Sequence, residues 1–310
     1  YVAGWFLKAA DYGLHTPTVS AFVSTNSICQ GRQVDTLWPL IFQTGHQISF
    51  AHTSFKWSNL ASHNAGVTVV IVGVSNNANT ARKLYSLTSE NSVIVKESDN
   101  INPNVIVKSA SKPLCGQSEL NFGNMPNDGG HLLLDPSAAR EATDRLNIPA
   151  KFIRSFVGSQ GLINGNDRKC IWVTESEVDE AQQHQWLKER FDAVRQHRAA
   201  SSRATTKHLA AFPHRFGEIR QTGNELCVVV PRHSSENRDY LPFALVERGS
   251  IAADSAFAFF DPTFWAVSVF ASRMHLIWIA TVCGKIKTDY RYSNTLGWNT
   301  FPVPTLTEKN

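Results

Sequence analysis

Residues 67–74, VTVVIVGV, are β-branched at every position but Gly73. A run with no polar alternation reads as a strand buried on both faces, and such a strand needs a sheet with helices packed over it. That requirement sets the fold class as α/β. Upstream, Val2, Trp5, Phe6, Ala9 and Ala10 recur at helical spacing over residues 1–13 and stop at Gly13. AFVSTNSI at 21–28 is a short β-rich run with a polar end. A helical pattern follows from Val34 to Thr44, and residues 46–52 read as a strand leading into an aromatic loop. The first eighty residues therefore run helix, strand, helix, strand, strand.

Beyond Ser75 the texture changes to Asn- and Ser-rich loops, SNNANT and ESDNINPN, which place a boundary near 80–100 and divide the chain into residues 1–85 and 86–310. The second part opens irregularly, and its FGNMPNDGG contains a turn signal in Asp-Gly-Gly. A short helix is expected at 136–146, a β-like segment at KFIRSFVGS, and a turn at Asn164 to Asp167 leading into a strand at 169–173. Ser176 and Asp179 have capping-box spacing ahead of a long helix carrying Leu187, Phe191 and Val194. ELCVVVPR (225–232) and DYLPFALVE (239–247) read as two strands about the polar loop HSSENR. Residues 261–284 read as two buried helices split near Ser272.

With 42% hydrophobic and 18% charged residues over 310 positions, the chain is globular. The apolar stretch between Asp261 and Arg273 holds eleven residues and the one from Met274 to Gly284 is no longer, so neither spans a bilayer. The segment at Tyr1 has no basic n-region and no cleavage site, which argues against a signal peptide; the chain reads as cut from something longer. Five cysteines, at 29, 115, 170, 227 and 283, are odd in number and form no CxxC, so reduced cytoplasmic thiols are expected rather than disulfides or zinc. The net charge of +4 lies entirely after residue 150: the first 150 residues carry 10 basic and 10 acidic side chains, the remainder 20 and 16. A stripe from Lys188 to Arg220, including Arg195, Arg198 and Arg203, reads either as a phosphate-binding face or as a solvated helix surface.

HExxH, a Walker lysine loop, GxSxG and a helix-opening GxGxxG are all absent. What the chain does carry is a series of ordered segments: YVAGWFLKAADY, AFVSTNSICQG, LWPLIF, FAHTSFKWSN, FGNMPNDGG, PRHSSENRDYLP and RYSN with NTFPVP. Together they resemble the MmeI-like group of single-chain type II restriction-modification enzymes, in which an adenine-specific DNA methyltransferase is joined to a target recognition domain. The resemblance covers nearly the whole chain. It implies the second half of a class I methyltransferase sheet, with its last strand inserted antiparallel between two neighbours, followed by a mixed α/β recognition domain. It also implies S-adenosylmethionine as cofactor of the parent enzyme. The glycine motif and Asn-Pro-Pro-aromatic loop of the family lie upstream, and no Pro-Pro dipeptide occurs here. This fragment is therefore expected to hold no cofactor and no metal and to be inactive alone.

Methylation of a base within a duplex requires that base to be flipped out and held, commonly by aromatic stacking. The resemblance places the stacking aromatic in the loop of FAHTSFKW; of its rings Phe55 is the first candidate and Trp57 the second, and Lys56, between two aromatics in sequence, is a candidate for a flanking phosphate. The alternative is that these rings seal the sheet. Ser24, Thr25 and Asn26 either line a ligand site at a strand end or cap the next helix. Arg pairs with guanine and Asn with adenine in the major groove, although most such contacts go to phosphate. Candidates for double-stranded DNA are Asn124, Asn127, Asp128, Arg154, Ser159, Gln160, Asn164, Arg168, Arg195, Arg198, Arg232, Ser234, Ser235, Arg238, Tyr290 and Arg291. The last two, with Tyr292 and Asn294, alternatively lock the domain together. Further partners implied are the upstream half of the methyltransferase, in a bacterial cytoplasm, and a second copy meeting residues 1–28. Otherwise 21–28 is the edge of a three-stranded sheet with 67–74 at its centre. A stand-alone specificity subunit and a joining module without DNA affinity remain as rival readings.

Overall fold

A computed structural model describes residues 2–57, 67–77, 81–114, 118–165 and 168–303. In chain order the first elements are α1 (Ala3–Gly13), β1 (Val19–Thr25), α2 (Arg32–Gln43), β2 (Gln47–Lys56), β3 (Thr68–Ser75), β4 (Arg82–Leu87) and β5 (Val93–Ser98). Next come β6 (Asn121–Phe122), β7 (Leu133–Leu134), α3 (Pro136–Asp144), β8 (Ile153–Val157), α4 (Ser159–Asn164), β9 (Lys169–Ile171), α5 (Val178–Gln182), α6 (Gln185–Ala199) and α7 (Ala204–His208). The remainder are β10 (Cys227–Pro231), β11 (His233–Ser234), β12 (Ala244–Val246), β13 (Ile251–Ala252), β14 (Ala256–Phe260), α8 (Phe264–Ala271), α9 (Arg273–Val282), β15 (Gly284–Ile286) and β16 (Asp289–Arg291). Two compact units arise: residues 1–116, 233–239 and 273–310 form one, and 117–232 with 240–272 form the other.

The first unit is built on a five-stranded sheet in the order β1-β3-β2-β4-β5. β3 lies between β1 and β2 and runs antiparallel to both, as its β-branched run and the expected strand insertion require. One face is sealed by α1 and α2, whose apolar stripes place Phe6, Val34, Leu37, Trp38 and Ile41 over Ile48, Val70 and Val72. Each such side chain contributes about 1.5–3 kcal/mol when fully withdrawn from water. Trp38 Nε1 donates to the Ile28 carbonyl at 2.8 Å, so its burial leaves no polar atom unsatisfied. Gly73 is required because the Phe50 ring lies against its Cα, in the space a Cβ would fill.

Several expectations are corrected in this unit. The strand expected at 21–28 ends at Thr25, where a 3-10 turn, Asn26–Cys29, takes over. The aromatic loop is largely strand: β2 continues to Lys56, with its register shifting between His52 and Phe55. β4 and β5 stand between the two Asn-rich segments, so the sheet has five strands rather than three. Phe6 belongs to the core and not to an exposed face, whereas Val2 and Trp5 are exposed, Trp5 by 58%. A small antiparallel sheet, β11-β16-β15, completes the unit. Beside it the buried His275 ring meets Tyr292, Trp298 and Phe301 edge-on.

The second unit holds the antiparallel sheet β12-β10-β14-β6 and the mixed sheet β13-β8-β9-β7, in which β13 pairs parallel with β8. Its main core gathers Phe152, Phe156, Ile171, Trp172, Leu187, Phe191, Val194 and Phe216. The capping box is formed by Thr174 and Glu177 rather than by Ser176 and Asp179, and the helical stretch breaks into α5 and α6. Hydrogen bonds from Thr174 hold the Glu177 carboxyl below the usual range. β14, AFAFF, escapes the sequence pattern because both its faces are apolar and it borders an apolar helix. Residues 166 and 167 of the expected turn, and Cys115, lie outside the described residues. Cys29, Cys170, Cys227 and Cys283 are free thiols.

Candidate nucleic-acid interface

In the first unit the second half of β2 lines a cleft of about 550 Å³. β1 and β2 each run antiparallel to β3 and so are mutually parallel, and β4 is parallel to β2. His52, Thr53 and Ser54 face the cleft, and Phe55 follows as a half-buried ring. The His52 and Phe55 ring centroids are 4.8 Å apart and those of Phe55 and Trp57 are 6.4 Å apart. Trp57 is 42% exposed, and Lys56 is exposed. The apolar part of the lining, Ile48, Ala51, Val70, Val72 and Leu84, belongs to the sheet face that α1 and α2 cover, and all of these but the half-buried Leu84 are buried. Ser24 is buried and donates to the Thr25 carbonyl, and Thr25 Oγ1 meets Ser27 Oγ at 2.8 Å, so these polar groups shape the turn after β1.

The turn at 122–130 is a structural hub. Asn124, a candidate base reader, is fully buried: its amide donates to Gln221 Oε1 at 2.8 Å and to the Ala252 carbonyl at 2.9 Å, while its oxygen accepts from Arg220 N at 2.7 Å. With every amide group engaged and no solvent access, it has nothing to offer a base. Asp128 likewise is buried and accepts from the backbone N–H groups of Gly130 and Leu132. Asn127 takes a positive φ of 48°, a conformation asparagine tolerates, and its amide donates to Thr206 Oγ1 at 3.4 Å.

Arg198, expected on a basic outer stripe, is also fully buried. Its Nε donates to Asn127 O, Nη1 to Leu209 O and Phe212 O, and Nη2 to Pro126 O and Arg215 O. All five N–H groups are engaged by carbonyls, which leaves none for a phosphate. Burial pulls its pKa down and the nearby Asp128 carboxylate pulls it back up. A sequence signal existed: Leu187, Phe191, Val194 and Arg198 share one helical stripe, the buried one.

The other candidates divide by surroundings. Arg195 and Arg203 are exposed, and Arg195 pairs with Asp192. Arg154 donates to the Lys151 carbonyl at 2.7 Å, and Arg168 is exposed, 5.9 Å from the Phe156 ring. The Arg232 guanidinium lies 4.9 Å from the Phe122 centroid, and its backbone N–H donates to Ser159 Oγ at 3.4 Å. Ser159 Oγ in turn donates to the Ser255 carbonyl. Asn164 and Gln160 are exposed on α4. In the first unit Ser234 is buried and so is withdrawn from any groove, while Ser235 is half-buried and Arg238 exposed. Ser234 pairs with Tyr290 and His233 with Arg291 across β11 and β16. Arg291 is exposed, whereas Tyr292 is buried with its hydroxyl 2.9 Å from His275 Nε2. Among the described residues no cluster of three or more His, Cys, Asp or Glu could hold a metal.

Comparison with known proteins adds identity to this geometry. Residues 101–305 match the family model of the MmeI target recognition domain, and residues 1–86 match that of the MmeI DNA-methyltransferase domain. The chain is 38% identical over 315 residues to DNA methyltransferase A of Bacillus subtilis (strain 168), an alignment covering 100% of this chain and 35% of that protein. It superposes with a TM-score of 0.88 and 32% identity on the solved type IIL restriction-modification enzyme MmeI in complex with DNA, covering 99% of this chain and 42% of that one. The chain thus spans about a third of the length of the curated relative it matches.

Proposed function

The chain belongs to the MmeI family through both its methyltransferase and its target recognition domains, and on that premise we propose that it reads duplex DNA for a sequence-specific adenine methyltransferase of a bacterial, cytoplasmic restriction-modification system. The observation that carries this reading is β3 set antiparallel between two parallel strands, with an aromatic strand end, His52 to Trp57, beside the cleft. In this role Phe55 stacks on the flipped adenine and Lys56 meets a neighbouring phosphate. Arg154, Arg168, Arg195, Arg203, Arg232, Arg238 and Arg291 supply the phosphate and base contacts, since their charged ends reach solvent or a ring face.

The methyl donor of such a reaction is S-adenosylmethionine. The residues of the cleft do not fit it: among the described residues no carboxylate lines the cleft to accept the ribose hydroxyls, and the sequence has no glycine loop opening a helix there. The donor belongs in this proposal to the upstream half of the domain, which pairs with the edge of β1, the outermost strand of the sheet among the described residues.

Fluorescence anisotropy with labelled duplex DNA over a salt series tests the reading. Binding that weakens steeply and linearly in log affinity against log salt is expected, because neutralised phosphates release counterions. Absence of duplex affinity at low salt would make the chain a joining module and overturn the proposal.

A further inference from the structure

The five-stranded sheet of the first unit ends on β1 at one side and on β5 at the other. In the proposed function the edge of β1 takes the upstream half of the domain, which leaves β5. Edge strands are commonly blunted by a proline, a bulge or charged side chains, because their outward N–H and C=O groups template further pairing. β5 has neither proline nor bulge: it pairs with β4 over six consecutive residues, from Arg82↔Ser98 to Leu87↔Val93, without a shift. Its charges, Lys96 and Glu97, sit in its second half. Its first half is Val93, Ile94 and Val95, exposed by 58%, 53% and 49%. Among the described residues no other three consecutive large apolar side chains are exposed.

The Thr88 N–H donates to the Ser92 carbonyl at 2.8 Å, which makes these two residues a hydrogen-bonded pair. Such pairs alternate with open ones along an antiparallel ladder. Ile94, Lys96 and Ser98 therefore bond toward β4, and the backbone groups of Val93, Val95 and Glu97 point away from the sheet. The side chains of Ile94 and Lys96 share the face of Leu84, and those of Val93 and Val95 share the face of Tyr85. A second β5 laid antiparallel along this edge, with a twofold axis at Ile94, sets Ile94 against Ile94 and each Val93 against Val95. The outward groups of Val93 and Val95 then form four hydrogen bonds, two in each pair. Lys96 falls opposite Ser92 of the second copy, toward Glu90 at its hairpin tip, and no like charges face each other. An axis at Val95 would instead set Lys96 on Ile94 and Glu97 on Val93, and an axis at Lys96 would oppose two ammonium groups. Charge and apolar match thus select one register.

We propose that β5 is a docking edge for a second copy of this chain, through which two five-stranded sheets join into one about a twofold axis at Ile94. The contact is isologous, so the same strand supplies both sides and assembly closes at two copies. A single strand pair lies at the small end of protein interfaces, below roughly 1,200 Å², and such a dimer is weak and concentration-dependent. No nucleic acid takes part, so the pairing stands apart from the DNA-reading role.

Sedimentation velocity of the full chain over a concentration series, without DNA, tests the pairing. Reversible growth from monomer to dimer, and no further, is expected. Ile94→Lys should weaken the dimer at least about tenfold, because like charges then meet on the axis, and Ile94→Glu should do the same. Mixed in equal amounts, the two variants should recover the dimer, since the axis then holds opposite charges. Val95→Pro removes an outward N–H without touching the ladder to β4 and should also weaken the dimer. Val19→Lys, on the opposite edge strand β1, leaves it unchanged. The replaced side chains are exposed, and thermal melts of each variant establish that folding is retained. A chain that stays monomeric at every concentration overturns the proposal. So does a dimer indifferent to Ile94, or one lost in Val19→Lys, which would place the interface on β1. Failure of the mixed variants to recover the dimer overturns the twofold pairing at Ile94.

Discussion

Arg198 Nε lies 2.9 Å from the carbonyl oxygen of Asn127, the first of five hydrogen bonds by which one buried guanidinium gathers residues 126–127 and 209–215. A planar fork with five donors in fixed directions matches this arrangement, and lysine, with three donors on one atom, does not. The arginine therefore fixes the shape of the 122–130 turn from within. Arg198→Ala is expected to destabilise the fold by about 3–5 kcal/mol, because the carbonyls stay buried after their donor is gone. Arg198→Lys should recover only part of this. Chemical denaturation of the variants measures both, and an Arg198→Ala change below about 1 kcal/mol would contradict the hub.

Charge reversal now has a defined target. Arg195→Glu with Arg203→Glu is expected to flatten the slope of log DNA affinity against log salt by about two units, one for each phosphate that is no longer neutralised. The folding transition should hardly move, since both side chains are exposed. An unchanged slope assigns this face to plain solvation.

Asn124→Ala removes the three hydrogen bonds to Gln221, Ala252 and Arg220. A loss of about 1–3 kcal/mol is expected, with base preference unaltered in any variant that still folds. Selection from a randomised duplex pool checks the second point.

His275 is held neutral: burial lowers its pKa from 6.5 to about 3. Between these values the unfolded chain binds a proton that the folded chain refuses, so stability rises with pH through that window and falls as pH drops from 6.5 toward 3. The contribution is complete above about pH 7. His275→Gln should flatten the pH dependence between pH 4 and 6.5 in urea titrations, and an equally steep profile would exclude His275 as its source.

In a longer enzyme carrying the catalytic loop, Phe55→Ala is expected to cost about 1–3 kcal/mol of base stacking. The readout is the fluorescence rise of 2-aminopurine placed at the target position, which should shrink while ground-state duplex affinity is kept. Phe55→Trp should restore it. Equal fluorescence in Phe55→Ala would return the ring to a packing role against His52 and Trp57.

The strand at 67–74 was legible because burial on both faces leaves a run apolar at every position but Thr68, and that is a local property of the sequence. α1, α2, α8 and α9 were legible for a similar reason, since apolar spacing and glycine or polar breaks are read within one helix length. β4 and β5 were not: β5 is exposed along nearly its whole length, so Val93, Ile94 and Val95 alternate with nothing, and only pairing with β4 makes them a strand. The cleft was equally invisible, because Lys96 and Lys285 stand 189 positions apart and no sequence window contains both. Arg198 divides the two kinds of information. Its place on the stripe of Leu187, Phe191 and Val194 is written in the helical period, so that it faces inward was determined by sequence alone. That five carbonyls from two distant loops meet it there was decided only by the tertiary structure, because a buried charge persists where the fold supplies every partner at once.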